Sequence, residues 1–292
     1  MRHARRRLHR LRYAAIFAIS FLLVLFHFGA PYQARPKPTL ALVVPATGND
    51  YQCFAAHLVK RLLKMTSLPE EVIFVVSGWV DGFGSAAHLK QLEELTDVQV
   101  LRYAHKQNQA TNRNLGAAVS RTDYVFFFDI DDVLHTSVFS ILRHALSLTT
   151  NFDAAIFSHG PFTTLNHIQM LPKKPFCITS RKPCADTPVY TSTALFRELF
   201  MHWFEEYAWS YESHHLCCQE HPHRSLAPGW LLVNRTSFLS HGVFDDRISR
   251  GEDGNQIARM IASGLSVIYI DTEIGYYNRY HTNPTCQSDV RR

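Results

Sequence analysis

Three carboxylates follow directly on an aromatic run in Phe126-Phe127-Phe128-Asp129-Ile130-Asp131-Asp132. A run this apolar reads as a strand buried on both faces, and open α/β sheets bind ligands beyond the carboxyl ends of their strands. Hard oxygen ligands at that point suit Mg2+ or Mn2+, which would bridge to phosphate oxygens. The plainer alternative is a polar turn, where aspartate is common. A second acidic pair, Glu252-Asp253, follows Arg250-Gly251 and opens a segment with helical spacing. The helix dipole stabilises an anion at that end, which suits a base that takes a proton from a hydroxyl. An acidic first turn is also an ordinary helix start.

These residues need elements to hold them, and the chain supplies a regular alternation. Leu40–Val44, Val72–Val76, Val98–Leu101, Tyr124–Phe128 and Ala154–Phe157 read as strands. Tyr51–Met65, Ala86–Leu95, Asn108–Ser120 and Ser137–Leu148 carry apolar residues at helical spacing between them. This β-α-β-α rhythm predicts an α/β fold with a mostly parallel sheet and helices on both faces. Later, Gly229–Val233 and Ser266–Ile270 read as strands. Gly251–Gly264 between them reads as a helix, with Gly264 as its C-cap. The segment 158–228 has weak periodicity and holds most of the prolines, histidines and cysteines. It reads as loops and short strands, with a helix near Leu195–Tyr207.

Asn108-Gln109-Ala110-Thr111-Asn112-Arg113-Asn114-Leu115-Gly116 stands just before the aromatic strand. Together the two segments resemble the inverting family 2 glycosyltransferases and their GT-A relatives, with an Arg-Asn-x-Gly helix, an apolar strand and an Asp-x-Asp motif. The resemblance implies a GT-A-like fold and a nucleotide-sugar donor, by family habit a UDP-sugar. It implies that Asp131 binds the metal, that Asp129 contacts the donor's ribose or the metal shell, and that Arg113 and Asn114 lie near the donor. Leu40-Ala41-Leu42-Val43-Val44-Pro45-Ala46-Thr47 is similar to the family's first strand and nucleotide-side loop, which assigns Pro45 and Thr47 to the donor. Val75-Val76-Ser77-Gly78-Trp79-Val80-Asp81-Gly82 falls where such enzymes often carry an acidic, base-contacting loop. Ser77 and Gly78 stand where acids are usual, leaving Asp81 as the candidate. Gly229-Trp230-Leu231-Leu232-Val233-Asn234-Arg235, then Gly242-Val243-Phe244-Asp245-Asp246, then Glu252-Asp253 resembles the acceptor half. That order implies Asp253 as the base and Glu252 as a ligand of the acceptor hydroxyl. His281, after the last strand, falls where several such enzymes place a histidine on the metal or diphosphate; imidazole suits Mn2+ better than Mg2+. The resemblance covers Leu40–His159 and Gly229–His281. The stretch between would shape the acceptor site, since specificity lives on loops.

The N-terminus has a different character. Arg2, Arg5, Arg6, Arg7, Arg10 and Arg12 precede an uncharged apolar run from Tyr13 to Ala30. As a helix that run would span roughly 27 Å, close to a bilayer's hydrocarbon thickness. The positive flank would stay cytosolic. The expected layout is a basic tail 1–12, a transmembrane signal anchor 13–30, a proline-containing stem 31–38 and a lumenal domain 39–292. That layout is the one expected of a type II Golgi or ER membrane protein; a cleaved signal peptide is the rival reading. The chain's net charge is +5 from 30 Lys and Arg against 25 Asp and Glu. Six of those 30 are the leading arginines, so the folded part has no basic excess to attract nucleic acid. The six cysteines all lie beyond the apolar run, in an expected oxidising compartment where Cys177 and Cys184 would be able to close a short loop. No paired CxxC spacing points to zinc. Asn234-Arg235-Thr236 is a glycosylation sequon at a strand end. The function expected is transfer of a sugar to a hydroxyl of a glycan, glycoprotein or glycolipid. Two readings compete with it. A nucleotidyltransferase would want a Gly-rich basic loop after the first strand, and Ala46–Asp50 lacks that character. A non-catalytic lumenal nucleotide-sugar or glycan-binding protein would not need both acidic pairs intact.

Overall fold

The structure is a computed structural model. It describes residues 37–81, 88–148, 152–160, 176–177, 182–183, 190–191, 226–241, 243–248 and 251–276. The compact unit Pro38–Arg292 holds every element below. The expected anchor 13–30, the Leu195–Tyr207 helix and His281 lie outside the described residues. Among those described, no helix is long and apolar enough to cross a membrane.

The first half alternates as its sequence predicts. In order come β1 (Leu40–Thr47), α1 (Gly48–Leu62), β2 (Glu71–Ser77), α2 (Leu89–Glu93), β3 (Asp97–Tyr103), α3 (Gln109–Val119), β4 (Tyr124–Phe127), β5 (Val133–Leu134), α4 (Val138–Leu148) and β6 (Ala154–Gly160). Then follow the two-residue strands β7 (Phe176–Cys177), β8 (Lys182–Pro183) and β9 (Tyr190–Thr191). β10 (Leu226–Asn234), α5 (Arg235–His241), α6 (Glu252–Ala262) and β11 (Val267–Tyr276) complete the chain order.

One sheet runs β3-β2-β1-β4-β10-β6-β11-β5, with β9 also paired to β11. β1 pairs in parallel with β2 and β4, β2 with β3, and β11 with β6. β10 runs antiparallel between β4 and β6. The sheet is therefore mostly parallel, flanked by helices and GT-A-like. β1 is buried along nearly its whole length, and its alternate residues face two cores. Leu40, Leu42 and Val44 pack with Phe126, Phe128 and Leu142, whereas Ala41 and Val43 pack with Ile73, Val125 and Phe127. Burial on both faces is why β1 and β4 read as continuous apolar runs rather than alternating ones.

Three local outcomes differ from the sequence reading. The helix expected over Ala86–Leu95 covers only Leu89–Glu93, entered through His88 at φ +68°; residues 82–87 lie outside those described. The strand expected over Gly229–Val233 is longer, and a helix not anticipated follows it. Asn234 starts that helix, its Oδ1 accepting from the Ser237 amide at 3.0 Å, the ordinary capping bond of an asparagine. Gly264 ends α6 as expected, at φ +79°, with the Leu265 amide bonded back to Met260 O.

Candidate active site

The carboxyl ends of β1 and β4 lie side by side, with Val43 opposite Phe127 and the Phe128 amide bonded to Val43 O at 3.1 Å. Asp129 therefore leaves the sheet next to Pro45–Thr47, the carboxyl end of β1. Thr47 and Asp50 form a reciprocal capping box that starts α1. Helix α3 closes the third side. Asn108 caps it, with Oδ1 accepting from the Thr111 amide at 2.8 Å. Gly116 lets it lie flat on β1, because a Cβ there would stand 2.3 Å from Val43 Cγ1. Between these elements lies a cavity of about 230 Å3 lined by Pro45, Thr47, Asp50, Gln109, Asn112 and Asp131, among others.

Arg113 occupies the centre of the site. It is 1 % exposed and engages carboxylates from both halves of the chain. Nη2 donates to Asp129 Oδ1 at 2.8 Å, and Nη1 donates to Glu252 Oε1 at 3.0 Å. Phe244 lies beneath the guanidinium, 5.2 Å from its ring centroid. The next residue, Asn114, grips Phe244 by both backbone groups. Its Nδ2 donates to Phe244 O and its Oδ1 accepts from the Phe244 amide, each at 2.9 Å. The Arg-Asn-x-Gly segment thus has three separate jobs: Arg113 joins the acids, Asn114 fixes the loop at Phe244, and Gly116 seats the helix. Gly229 on β10 completes the junction. A Cβ on it would meet Asp129 Oδ2 and Asp253 Oδ2 at 3.4 Å each and Arg113 Nη2 at 3.5 Å.

The cluster is short of positive charge. Asp129, Glu252 and Asp253 surround one buried cation, and Asp131 stands beside Asp129 without it. Burial pushes the Asp131 carboxyl up to about 7, helped by the neighbouring Asp129 and Asp50 charges. Burial also raises Asp129, against the pull of Arg113 and Gln109, and raises Glu252, against the pull of Arg113. Arg113 itself is held above its ordinary value. Burial alone would lower it, but Asp129, Asp253 and Glu252 outweigh that. Carboxylates this reluctant to ionise suit a bound divalent cation, and the hard oxygens of Asp129 and Asp131 fit Mg2+ or Mn2+. Among the described residues no group of three or more His, Cys, Asp or Glu stands ready to hold a metal. A pair of carboxylates completed by substrate phosphates is the usual way Mg2+ is held.

The structure brings Pro45, Thr47, Arg113, Asp129, Asp131, Glu252 and Asp253 together. Asn114 acts on Phe244 rather than lining the cavity. Asp81 is exposed and does not line it either. Asp132, the third acid of the aromatic-acidic run, is tied away by Trp230, whose Nε1 donates to its Oδ2 at 3.0 Å. Sequence reasoning missed Gln109, whose Nε2 donates to Asp129 Oδ1. It also missed Asn112 as a cavity residue and Gly229 as the meeting point. Gln109 falls three residues before Asn112 and four before Arg113, spacings that put it one turn away from both on the same helix.

A family model described as "Glycosyl transferase family 2" matches residues 42–204, more than half of the chain. The protein belongs to that glycosyltransferase family. The match includes the Asp-Ile-Asp turn and ends before Glu252-Asp253. Among curated proteins none matches the sequence. Among solved structures, S. aureus TarS 1–349 in complex with UDP-GlcNAc is 12 % identical. It covers 86 % of this chain and 62 % of its own, with a TM-score of 0.52. TarS 1–349 without that ligand is 14 % identical and covers 82 % and 60 %, with a TM-score of 0.51. These likenesses show the shared fold, and the chain spans only about 60 % of the TarS length compared.

Proposed function

We propose that this chain transfers a hexosyl or N-acetylhexosaminyl unit from a UDP-sugar to a hydroxyl of a glycan, glycoprotein or glycolipid, with inversion. The observation that carries the reading is the Arg113 bridge. It joins Asp129 of the Asp-Ile-Asp turn to Glu252, which lies 139 residues beyond Arg113 in the chain, and Asp129 and Asp253 both come up to Gly229. In this reading the nucleotide lies in the cavity beside Pro45, Thr47 and Asn112. Asp129 and Asp131 would hold a divalent cation, which when bound supplies Lewis-acid neutralisation of the diphosphate. Asp253 takes the proton of the acceptor hydroxyl. The freed electron pair attacks the anomeric carbon from the face opposite the diphosphate, and the bond to the diphosphate breaks. Glu252, held by Arg113, orients the acceptor. Family membership supports the chemistry, and UDP-GlcNAc in the TarS complex supports the choice of donor.

The cellular setting in this reading is the lumenal side of a Golgi or ER membrane, with residues 13–30 as a signal anchor. The six arginines ahead of an 18-residue uncharged run support it. The position of all six cysteines beyond that run also supports it, since disulfides persist in oxidising compartments.

The test is calorimetry of the full-length chain with UDP, with and without Mn2+, followed by turnover of UDP-sugars with candidate acceptors. Metal-dependent binding that disappears in Asp131→Asn is the expected result. A folded sample that binds no nucleoside diphosphate would remove the donor reading.

A further inference from the structure

Asn112 is the buried polar residue of the cavity wall whose hydrogen bonding is incomplete. It is 2 % exposed, on the first turn of α3. Its Nδ2 donates to Ala46 O at 3.2 Å and to Ser77 Oγ at 3.1 Å. Ala46 O is able only to accept, so the amide's orientation is fixed and Oδ1 is the atom left over. Among the described residues Asn112 Oδ1 has no hydrogen-bond partner. Gln107 Oε1, from the segment leading into α3, is buried and unpaired as well. Both residues line the 230 Å3 cavity. Buried carbonyl oxygens without donors are uncommon and need a reason. Two of them in one small wall ask for a ligand that brings N–H groups.

We infer that Asn112, with Gln107 beside it, is the specificity determinant for the donor's nucleobase. It accepts the ring N–H of a keto base, N3–H of uracil or N1–H of guanine. The inference rests on the nucleotide-sugar reading above. Cytosine and adenine present a ring-nitrogen lone pair at the corresponding edge, which two acceptor oxygens repel. The neighbouring strand end explains why an amide does this. β2 finishes at Ser77, which is fully buried, and its hydroxyl donates to Gln107 O at 3.3 Å. Neither Ser77 nor Gly78 supplies a carboxylate, although the family resemblance places acids there. The acceptor function passes to a neutral side chain anchored on that serine. A site built to hydrogen-bond a group rejects the analogue lacking it, because its own polar atoms are then left unpaired.

The experiment is calorimetry of the full-length chain in Mn2+ with UDP, CDP, GDP and ADP, on wild type and Asn112→Ala. In wild type one keto nucleotide should bind at least about tenfold tighter than its amino counterpart, UDP over CDP or GDP over ADP. UDP leading identifies uracil, and GDP leading identifies guanine. In Asn112→Ala that ratio should collapse towards one while the amino nucleotide keeps its affinity. The wild-type ratios need no variant, so a variant that fails to fold leaves the test intact. CDP equal to UDP together with ADP equal to GDP overturns the inference while leaving the transferase reading standing. A ratio unchanged in a folded Asn112→Ala protein does the same. Binding of none of the four overturns both.

Discussion

Asp131 and Asp253 sit in one cluster yet are assigned different work, and single substitutions separate them. Asp131→Asn should abolish metal-dependent UDP binding, read by calorimetry. Asp253→Asn should leave that binding within about twofold and lower turnover by at least about a hundredfold. Unchanged turnover would exclude Asp253 as the base. The pH behaviour of Asp131 has a definite sign. Its carboxyl is raised from 3.8 in the open chain to about 7 in the fold, so the native state holds the proton more tightly. This contribution to stability is complete below about pH 4 and is lost as pH rises through about 7. In metal-free protein, Asp131→Asn should therefore melt higher than wild type at pH 8 and match it near pH 4. A cation that competes with that proton should bind more tightly at pH 8 than at pH 5.5. Arg113 is the opposite case, a cation that three acids depend on. Arg113→Met leaves Asp129 and Glu252 buried without their partner, at a cost of about 3 kcal/mol or more in denaturant unfolding.

Helix α3 shows what a close approach between elements demands. Gly116→Ala places a methyl against Val43 Cγ1 at 2.3 Å and should cost about 1–3 kcal/mol. The measurement is the urea midpoint. Because α3 carries Asn112 and Arg113, the same variant should weaken UDP binding even though it touches no ligand. Much of this element was legible in sequence. Asn108 as a cap, small residues facing the sheet and the Arg-Asn-x-Gly spacing all follow local rules. The strand-then-acid pattern at Asp129 was legible too, because a strand buried on both faces has an unmistakable composition. What stayed hidden depends on distance along the chain. Nothing local in Gly229 says that its missing side chain faces Asp129 and Asp253. Nothing local in Asp132 says that Trp230 claims it while Asp131 stays at the cavity. The short helix over Arg235–His241 is locally signalled by Asn234 and Ser237, and the same asparagine is both its cap and the first residue of the Asn234-Arg235-Thr236 sequon. Asp81 shows the converse. The family pattern points there because acids are absent from Ser77 and Gly78, whereas Asp81 is exposed and does not line the cavity, and Asn112 on α3 does.

At the scale of the whole molecule, the sheet and the acidic cluster lie within Pro38–Arg292. A protein lacking residues 1–36 should keep its cooperative unfolding transition and its UDP affinity; loss of either would give the N-terminal segment a structural part in the site. The strand order carries a further consequence, for biosynthesis. β10 sits between β4 and β6, yet it is translated after both. Until roughly the last quarter of the chain leaves the ribosome, β4 and β6 have no common neighbour, and their inner edges offer unpaired amides and carbonyls. Arg113 meanwhile waits for Glu252, with only Asp129 in hand. A ribosome stalled before residue 226 would therefore release a chain with its middle open, a natural client for chaperones that mask strand edges. β10 then fills the gap in the sheet, and α6 brings Glu252 to the charge cluster.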